Sequence, residues 1–434
     1  MSGLFCFKLH YADIYQVLMT KQERIILFLL AGLNFTHILD FMIMMPLGNY
    51  LLPSLHITAF QFSFLVASYS ISAFISGLAI ALFIDRFDRK KSLVIAYSGF
   101  VIGTLACGLA PTYGLLLVAR ILAGLFGGII GAQVLSIVAD IFTYERRGRA
   151  MGAVMSAFAA ASILGVPLSL YLTNLFKLNW HIPFLLIGSI AAVLVPLIIL
   201  YIPSMKGHIK KRATDAHFMD ALITVFKIPE QRSALIFSCL LMMGHFLIVP
   251  FINPYLEFNK GFSKDLTPMI YLVGGCASMV AALFLGRLSD KTGKLPVFSW
   301  SVFLSLPMVY IITAMPGVHF SVVLVFFAFW FIVATGRAVT AQAMISEVVQ
   351  AEQRGSFMSL NGSVQQLGSG IAALSAGAIV ITEKSGKILH YNWVGYCSIF
   401  VLMSSLILGR YIFKRIDKTE GEVQAENELL NETT

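Results

Sequence analysis

Twelve stretches of roughly twenty predominantly apolar residues recur along this chain, and a helix of that length is what spans about 30 Å of hydrocarbon. They lie near 25–47, 61–84, 92–110, 115–142, 151–173 and 182–202, then near 233–256, 266–288, 296–315, 320–346, 357–381 and 393–413. Composition closes the alternative of a water-soluble fold. Of 434 residues, 58% are hydrophobic and only 12% are charged. A soluble domain carries about 25% charged residues. The reading is an all-α integral membrane protein with twelve transmembrane helices in two six-helix bundles.

Lys and Arg alternate between successive connections. One side receives Lys21 and Arg24, then Arg86, Arg89, Lys90 and Lys91, then Arg146, Arg147 and Arg149, with later clusters at Lys210–Arg212, Arg287–Lys294, Arg354 and Arg410–Lys418. The other side has Lys177, Lys260, Lys264, Lys384 and Lys387. The positive-inside rule places both termini in the cytoplasm of an inner membrane, and an even number of spans requires them on one side. The net charge of +9 is therefore read as topology and lipid contact, not nucleic-acid binding. The layout is a segment 1–24, a bundle 25–202, a linker 203–232, a bundle 233–413 and an acidic tail 414–434. Residues 1–18 lack the pattern of a cleaved signal peptide, and Met19 offers an alternative start. The five cysteines are scattered, mostly in apolar spans, and read as packing residues, not metal ligands.

The two halves repeat. Asp85-Arg86-Phe87-Asp88-Arg89-Lys90-Lys91 joins spans two and three, and Gly286–Lys294, containing Asp290, joins eight and nine. Glu145–Met151 and Glu352–Met358 form a second matched pair of loops. Asp85 and Asp290 are 205 residues apart, and Gly148 and Gly355 are 207 apart. A 6+6 duplication is typical of secondary transporters. These residues resemble the major facilitator superfamily: Asp85–Lys91 matches its loop signature, with Ala81 and Asp88 where glycines are usual. Leu116–Arg120 with Gly124 resembles the fourth-helix motif of proton-coupled members. Leu39–Pro46 resembles the first helix of drug:proton antiporters and arabinose-efflux-like permeases. Gly165-Val166-Pro167 resembles the fifth-helix antiporter motif, with Ser169 replacing a glycine. The resemblance implies alternating access, a central cavity lined by helices one and four, and a role for Asp85, Arg86 and Arg89 in latching the bundles, with Asp290 as a weaker counterpart.

Ionisable residues at membrane depth are costly and so mark functional candidates. Asp40 lies about 22 Å along the first span, and Arg120 about 8 Å into the fourth from the opposite side. Similar depths make them candidate partners. Asp40 is either the carrier of the coupling proton or a permanently ionised structural partner, and Arg120 either tunes it or holds an anionic group. Arg337, deeper on the tenth span, is a candidate for substrate binding, for capping the inner gate or for structural pairing with backbone carbonyls. Asn34 and His37 share the Asp40 region of the first span, and His245 and Asn253 lie on the seventh. All four are candidate substrate contacts or polar packing residues. Phe41 and its methionine neighbours suit packing or a permissive apolar pocket. Gly124, Gly127, Gly128 and Gly131 form a stripe suited to close helix packing.

No HExxH, GxSxG or P-loop pattern occurs. The sequence therefore predicts a non-enzymatic secondary transporter. Its expected partners are a small-molecule substrate and the bilayer, its expected form a monomer, and its energy source the proton gradient with no other cofactor. Proton-coupled efflux is the leading reading; a sugar or metabolite importer or facilitator is the alternative.

Overall fold

The computed structural model describes residues 19–83, 87–142, 144–205, 227–349, 354–383 and 385–432. Within these, the side chains of 81–83, 139, 144–145, 147–149, 355–356 and 415–432 are not described. Asp85, Arg86 and most of the linker therefore lie outside the described residues, as do the side chains of Arg147 and Arg149.

Among the described residues there are twelve long helices. In the first half they are α1 (Lys21–Ile43), α2 (Ala59–Phe83), α3 (Arg89–Leu109) and α4 (Tyr113–Ile141). Helix α5 begins as Tyr144–Ala160, widens through a π-helical turn at Ala161–Gly165 and continues as Val166–Leu175; α6 is His181–Tyr201. In the second half they are α7 (Pro229–Phe246), α8 (Thr267–Thr292), α9 (Lys294–Thr313), α10 (Phe320–Glu347), α11 (Arg354–Ile379) and α12 (Tyr391–Glu432). A two-stranded ribbon, β1 (Ile381–Thr382) with β2 (Ile388–Leu389), joins the last two.

Local chemistry sets several ends. Thr20 and Glu23 form a reciprocal capping box at α1, and Asp88 and Thr112 cap α3 and α4 through their side chains. Such caps satisfy amides that the first turn leaves open. Arg146 at the start of α5 bonds Glu23 of α1 at 2.9 Å, tying two helix ends at one face. Large apolar side chains stay outside: Phe28 is 76% exposed and Phe400 73%. That surface suits hydrocarbon, not water.

Two spans differ from their sequence reading. The first was expected to run continuously over 25–47 and the seventh over 233–256. Instead α1 ends at Ile43 and a short helix, Gly48–Ser54, follows; α7 ends at Phe246, followed by short pieces at Val249–Phe251, Ile252–Pro254 and Tyr255–Asn259. Pro46 and Pro250 lie at the two breaks, where proline has no amide hydrogen to give the carbonyl four residues back. Helix α11 also differs. Among the described residues eleven helices are long and apolar enough to span by composition, and α11 is the exception. It carries Asn361, Gln365 and Gln366, which it can do because it packs against α2 and α7 instead of lipid.

The bundles meet along α2 and α11. A Cβ at Gly377 would stand 2.3 Å from Ser63, one at Gly370 2.9 Å from Ile71, and one at Gly77 2.6 Å from Ser363. Glycine at these positions lets the backbones approach where dispersion is the main attraction. Helices α5 and α8 form the second seam, with Gly275 against Ile163.

Candidate functional site

A cavity of about 290 Å³ opens between the bundles. Its lining includes Asn34, His37 and Phe41 of α1, Gly127, Gly128 and Gly131 of α4, Met155 and Phe158 of α5, Phe246 of α7, and Gln365, Gln366 and Ser369 of α11. One wall is aromatic and thioether in character. The wall from α11 carries amides and hydroxyls. Asn34 is about 20 Å from the start of α1, so the cavity occupies the half of the molecule nearer the termini.

The opposite half is closed by the broken ends of α1 and α7. Asn253 Nδ2 donates to the Pro46 carbonyl at 3.1 Å, and Asn49 Nδ2 donates to Glu257 Oε2 at 2.6 Å. Lys264 pairs with Glu257 at 3.4 Å, and the Tyr50 hydroxyl donates to Asn174 of α5 at 2.5 Å. Phe41 meets Phe246 across the bundles with ring centroids 5.6 Å apart, and Phe62 meets Phe251 at 6.0 Å. Asn49 and Asn253 are 204 residues apart, as are Pro46 and Pro250. The clasp is thus made by duplicated positions of the two halves. Removing both amides, as Asn49→Ala with Asn253→Ala, should loosen it. A cysteine placed at the buried Met45 should then react several-fold faster with an impermeant maleimide added at that face. Unchanged labelling would show that the apolar contacts alone hold the closure.

Asp40 and Arg120 come together. Arg120 Nη1 donates to Asp40 Oδ2 at 2.9 Å, and both residues are 0% exposed. The same nitrogen reaches the Asp40 carbonyl at 3.3 Å, and the guanidinium lies 4.4 Å from the centre of the Tyr69 ring. Removing two charges from water is expensive, and only close pairing offsets it. Helices α1 and α4 both line the cavity, as the resemblance implies, but the pair itself does not. It sits one layer behind, within the first bundle, with His37 and Phe41 of α1 on the cavity side. A helix has several faces, and depth along its axis does not select among them.

The second bundle holds a related pair on the equivalent helices. Arg337 of α10, 2% exposed, donates from Nη2 to His245 Nδ1 of α7 at 2.8 Å and from Nη1 to Ser305 Oγ at 3.0 Å. His245 stacks on Trp330 with centroids 5.0 Å apart. His245 follows Asp40 by 205 residues, the spacing of the duplicated loops. Arg337 is not the linear duplicate of Arg120, yet the α7–α10 contact repeats the α1–α4 contact with imidazole in place of carboxylate. Among the described residues no carboxylate lies within salt-bridge distance of Arg337.

The remaining candidates divide. Asn34 lines the cavity and donates to the Val154 carbonyl at 3.0 Å, while His37 lines it with both ring nitrogens open. Asn253 belongs to the clasp and His245 to the Arg337 cluster; neither lines the cavity. Arg89 bonds Asp140 at 3.2 Å, within its own bundle, and Asp290 is exposed at the end of α8. Among the described residues no three His, Cys, Asp or Glu side chains converge as metal ligands. Sequence reasoning missed Tyr69, the polar wall of α11 and the Asn49–Glu257 bond. The equal spacing of Asn49 and Asn253 was the signal available for the last.

This architecture is shared. The model for the Major Facilitator Superfamily matches residues 30–373 and, again, 234–431. The chain belongs to the Major Facilitator Superfamily. The uncharacterized MFS-type transporter YbcL of Bacillus subtilis (strain 168) is 25% identical over 323 residues, covering 74% of this chain and 79% of that protein. The putative transporter AraJ of Escherichia coli (strain K12) is 24% identical over 359 residues, covering 80% and 85%. Among solved structures, the nucleoside transporter NupG superposes with TM-score 0.71 at 13% identity, covering 89% of this chain and 100% of that one. A D-xylose-proton symporter superposes with TM-score 0.69 at 16% identity, covering 88% and 96%. This major facilitator chain is a multi-pass membrane protein and a secondary transporter, not an enzyme.

Proposed function

We propose that this transporter is a proton-coupled exporter of small molecules, with Asp40 carrying the coupling proton. The observation that carries the reading is the Asp40–Arg120 pair, fully buried with one carboxylate oxygen, Oδ1, unbonded among the described residues. A carboxylate so placed is pulled two ways, by burial against its charge and by Arg120 in favour of it. Ionised, it is held by Arg120; protonated, it needs no countercharge. Movement of Arg120 between conformations shifts that balance, which is what coupling requires. The substrate occupies the cavity, its apolar body against Phe41, Phe158 and Phe246 and its polar groups toward Gln365 and Gln366. The Lys/Arg distribution supports an inner-membrane location with cytoplasmic termini, so the cavity lies on the cytoplasmic side. The proton gradient is the only energy source invoked, and a monomer suffices.

The test is transport by the purified protein in vesicles across a panel of uncharged amphiphiles and sugars, with and without an imposed pH gradient. Uphill movement that collapses when a protonophore is added is expected. Equilibration indifferent to the gradient would make the protein a facilitator.

A further inference from the structure

Because Asp40 stands behind the cavity wall, any proton it exchanges must cross that wall. Three observations mark one route. His37 lines the cavity, yet it is only 9% exposed and neither ring nitrogen bonds any described residue. Buried polar atoms are nearly always hydrogen-bonded, so an imidazole with two open nitrogens calls for an explanation. Ring contacts with Tyr69 at 6.3 Å and Phe100 at 6.0 Å hold it in place. An apolar side chain would pack there equally well without leaving polar atoms open.

The Tyr69 hydroxyl supplies the second observation, since it too has no partner among the described residues. It lies beside His37 against Gly127: a Cβ at that glycine would stand 2.5 Å from the hydroxyl and 3.1 Å from His37 Nε2. The third is Asp40 Oδ1, open on the same helix as His37 and three residues on. Residues at that spacing have Cβ atoms about 5–6 Å apart. A series of polar atoms without hydrogen-bond partners among the described residues therefore runs from the cavity edge to the carboxylate, where the buried Thr104 hydroxyl of α3 also lies beside Asp40.

We propose that His37 is the proton port of Asp40, with the Tyr69 hydroxyl lining the path; this rests on the reading of Asp40 as the proton carrier. A proton from water in the cavity adds to one ring nitrogen of His37. The imidazolium gives the proton on its other nitrogen to Asp40 Oδ1, directly or across one water held by Tyr69. The ring is left neutral in its other tautomer, and one proton has moved from cavity to carboxylate. The charged and titratable groups facing this route are Arg120 of α4, Tyr69 of α2 and Cys107 of α3. A charge held on so deeply buried a ring is costly, so the imidazolium is a passing state and Asp40 the store.

The experiment follows the Asp40 carboxyl stretch by infrared spectroscopy after an acid jump on the purified protein in lipid. The band is assigned by its loss in Asp40→Asn. In His37→Phe the band should reach its wild-type amplitude about tenfold more slowly or worse. Tyr69→Phe, which keeps the ring beneath Arg120, should slow it by a smaller factor. In His37→Ala, imidazole added to the buffer should restore the rate, an effect that a packing role for His37 does not predict. Wild-type rates in His37→Phe and Tyr69→Phe would overturn the port and leave Asp40 as carrier. A wild-type protein with no titrating Asp40 band would defeat the coupling reading and the port with it. If His37→Phe does not fold, Tyr69→Phe and the imidazole series decide the matter.

Discussion

Asp40→Asn should abolish gradient-driven transport, reducing uphill accumulation to gradient-free equilibration. Asparagine keeps the size of the side chain and still accepts a hydrogen bond from Arg120, so the packing around the pair survives. It cannot exchange a proton near neutral pH. Substrate-for-substrate exchange needs no net proton movement and should persist in the same vesicles. The stability cost is asymmetric. Leaving a buried guanidinium without its countercharge costs about 3–5 kcal/mol when the partner is removed outright. Asp40→Ala should therefore lower Tm more than Asp40→Asn. Asp40→Ala with Arg120→Met, which removes both charges, should recover most of that loss without recovering coupling. Retained pH-driven accumulation in Asp40→Asn would move the proton site elsewhere.

The second large effect separates glycines that share one helix face. Gly124 and Gly128 of α4 pack directly on the backbone of α2: an added Cβ would stand 2.4 Å from the Tyr69 carbonyl oxygen at the first and 2.2 Å from that of Ala73 at the second. Backbone cannot rotate aside as a flexible side chain can. Gly124→Val or Gly128→Val should cost about 3 kcal/mol or more by overpacking and strongly reduce the folded yield. Gly131 has nothing within 4 Å of an added Cβ and faces the cavity. Gly131→Ala should leave Tm unchanged, with any effect confined to substrate affinity. Thermal unfolding of the three purified variants decides it, and equal destabilisation by all three would refute the distinction.

The same stripe shows how far sequence reading reaches. Spacing placed all four glycines on one face and led to the expectation of close packing. Whether a second backbone lies against a given glycine depends on where α2 crosses α4, and spacing within α4 holds no information about that crossing. The proline positions are the converse case. Pro46 and Pro250 were in view, and the breaks they impose are local consequences of a missing amide. Hydropathy hides them, because it remains high through both breaks and an apolar run does not reveal where its helix stops.

By itself the sequence determined the twelve spans, the duplicated halves and the rare ionisable residues at membrane depth. Each is a property of one segment or a comparison along the chain: hydrocarbon penalises polar atoms residue by residue, and a fixed helical rise converts residue number into depth. Depth alone brought Asp40 and Arg120 to one level. The tertiary structure decided that they pair within one bundle, that His37 and not Asp40 meets the cavity, that His245 takes the carboxylate's place beside Arg337, and that Asn49 and Asn253 close the far end. These are matters of which face each helix turns to its neighbours. That rotation is set by packing among side chains distant in sequence, so it exists only once all the helices are in place.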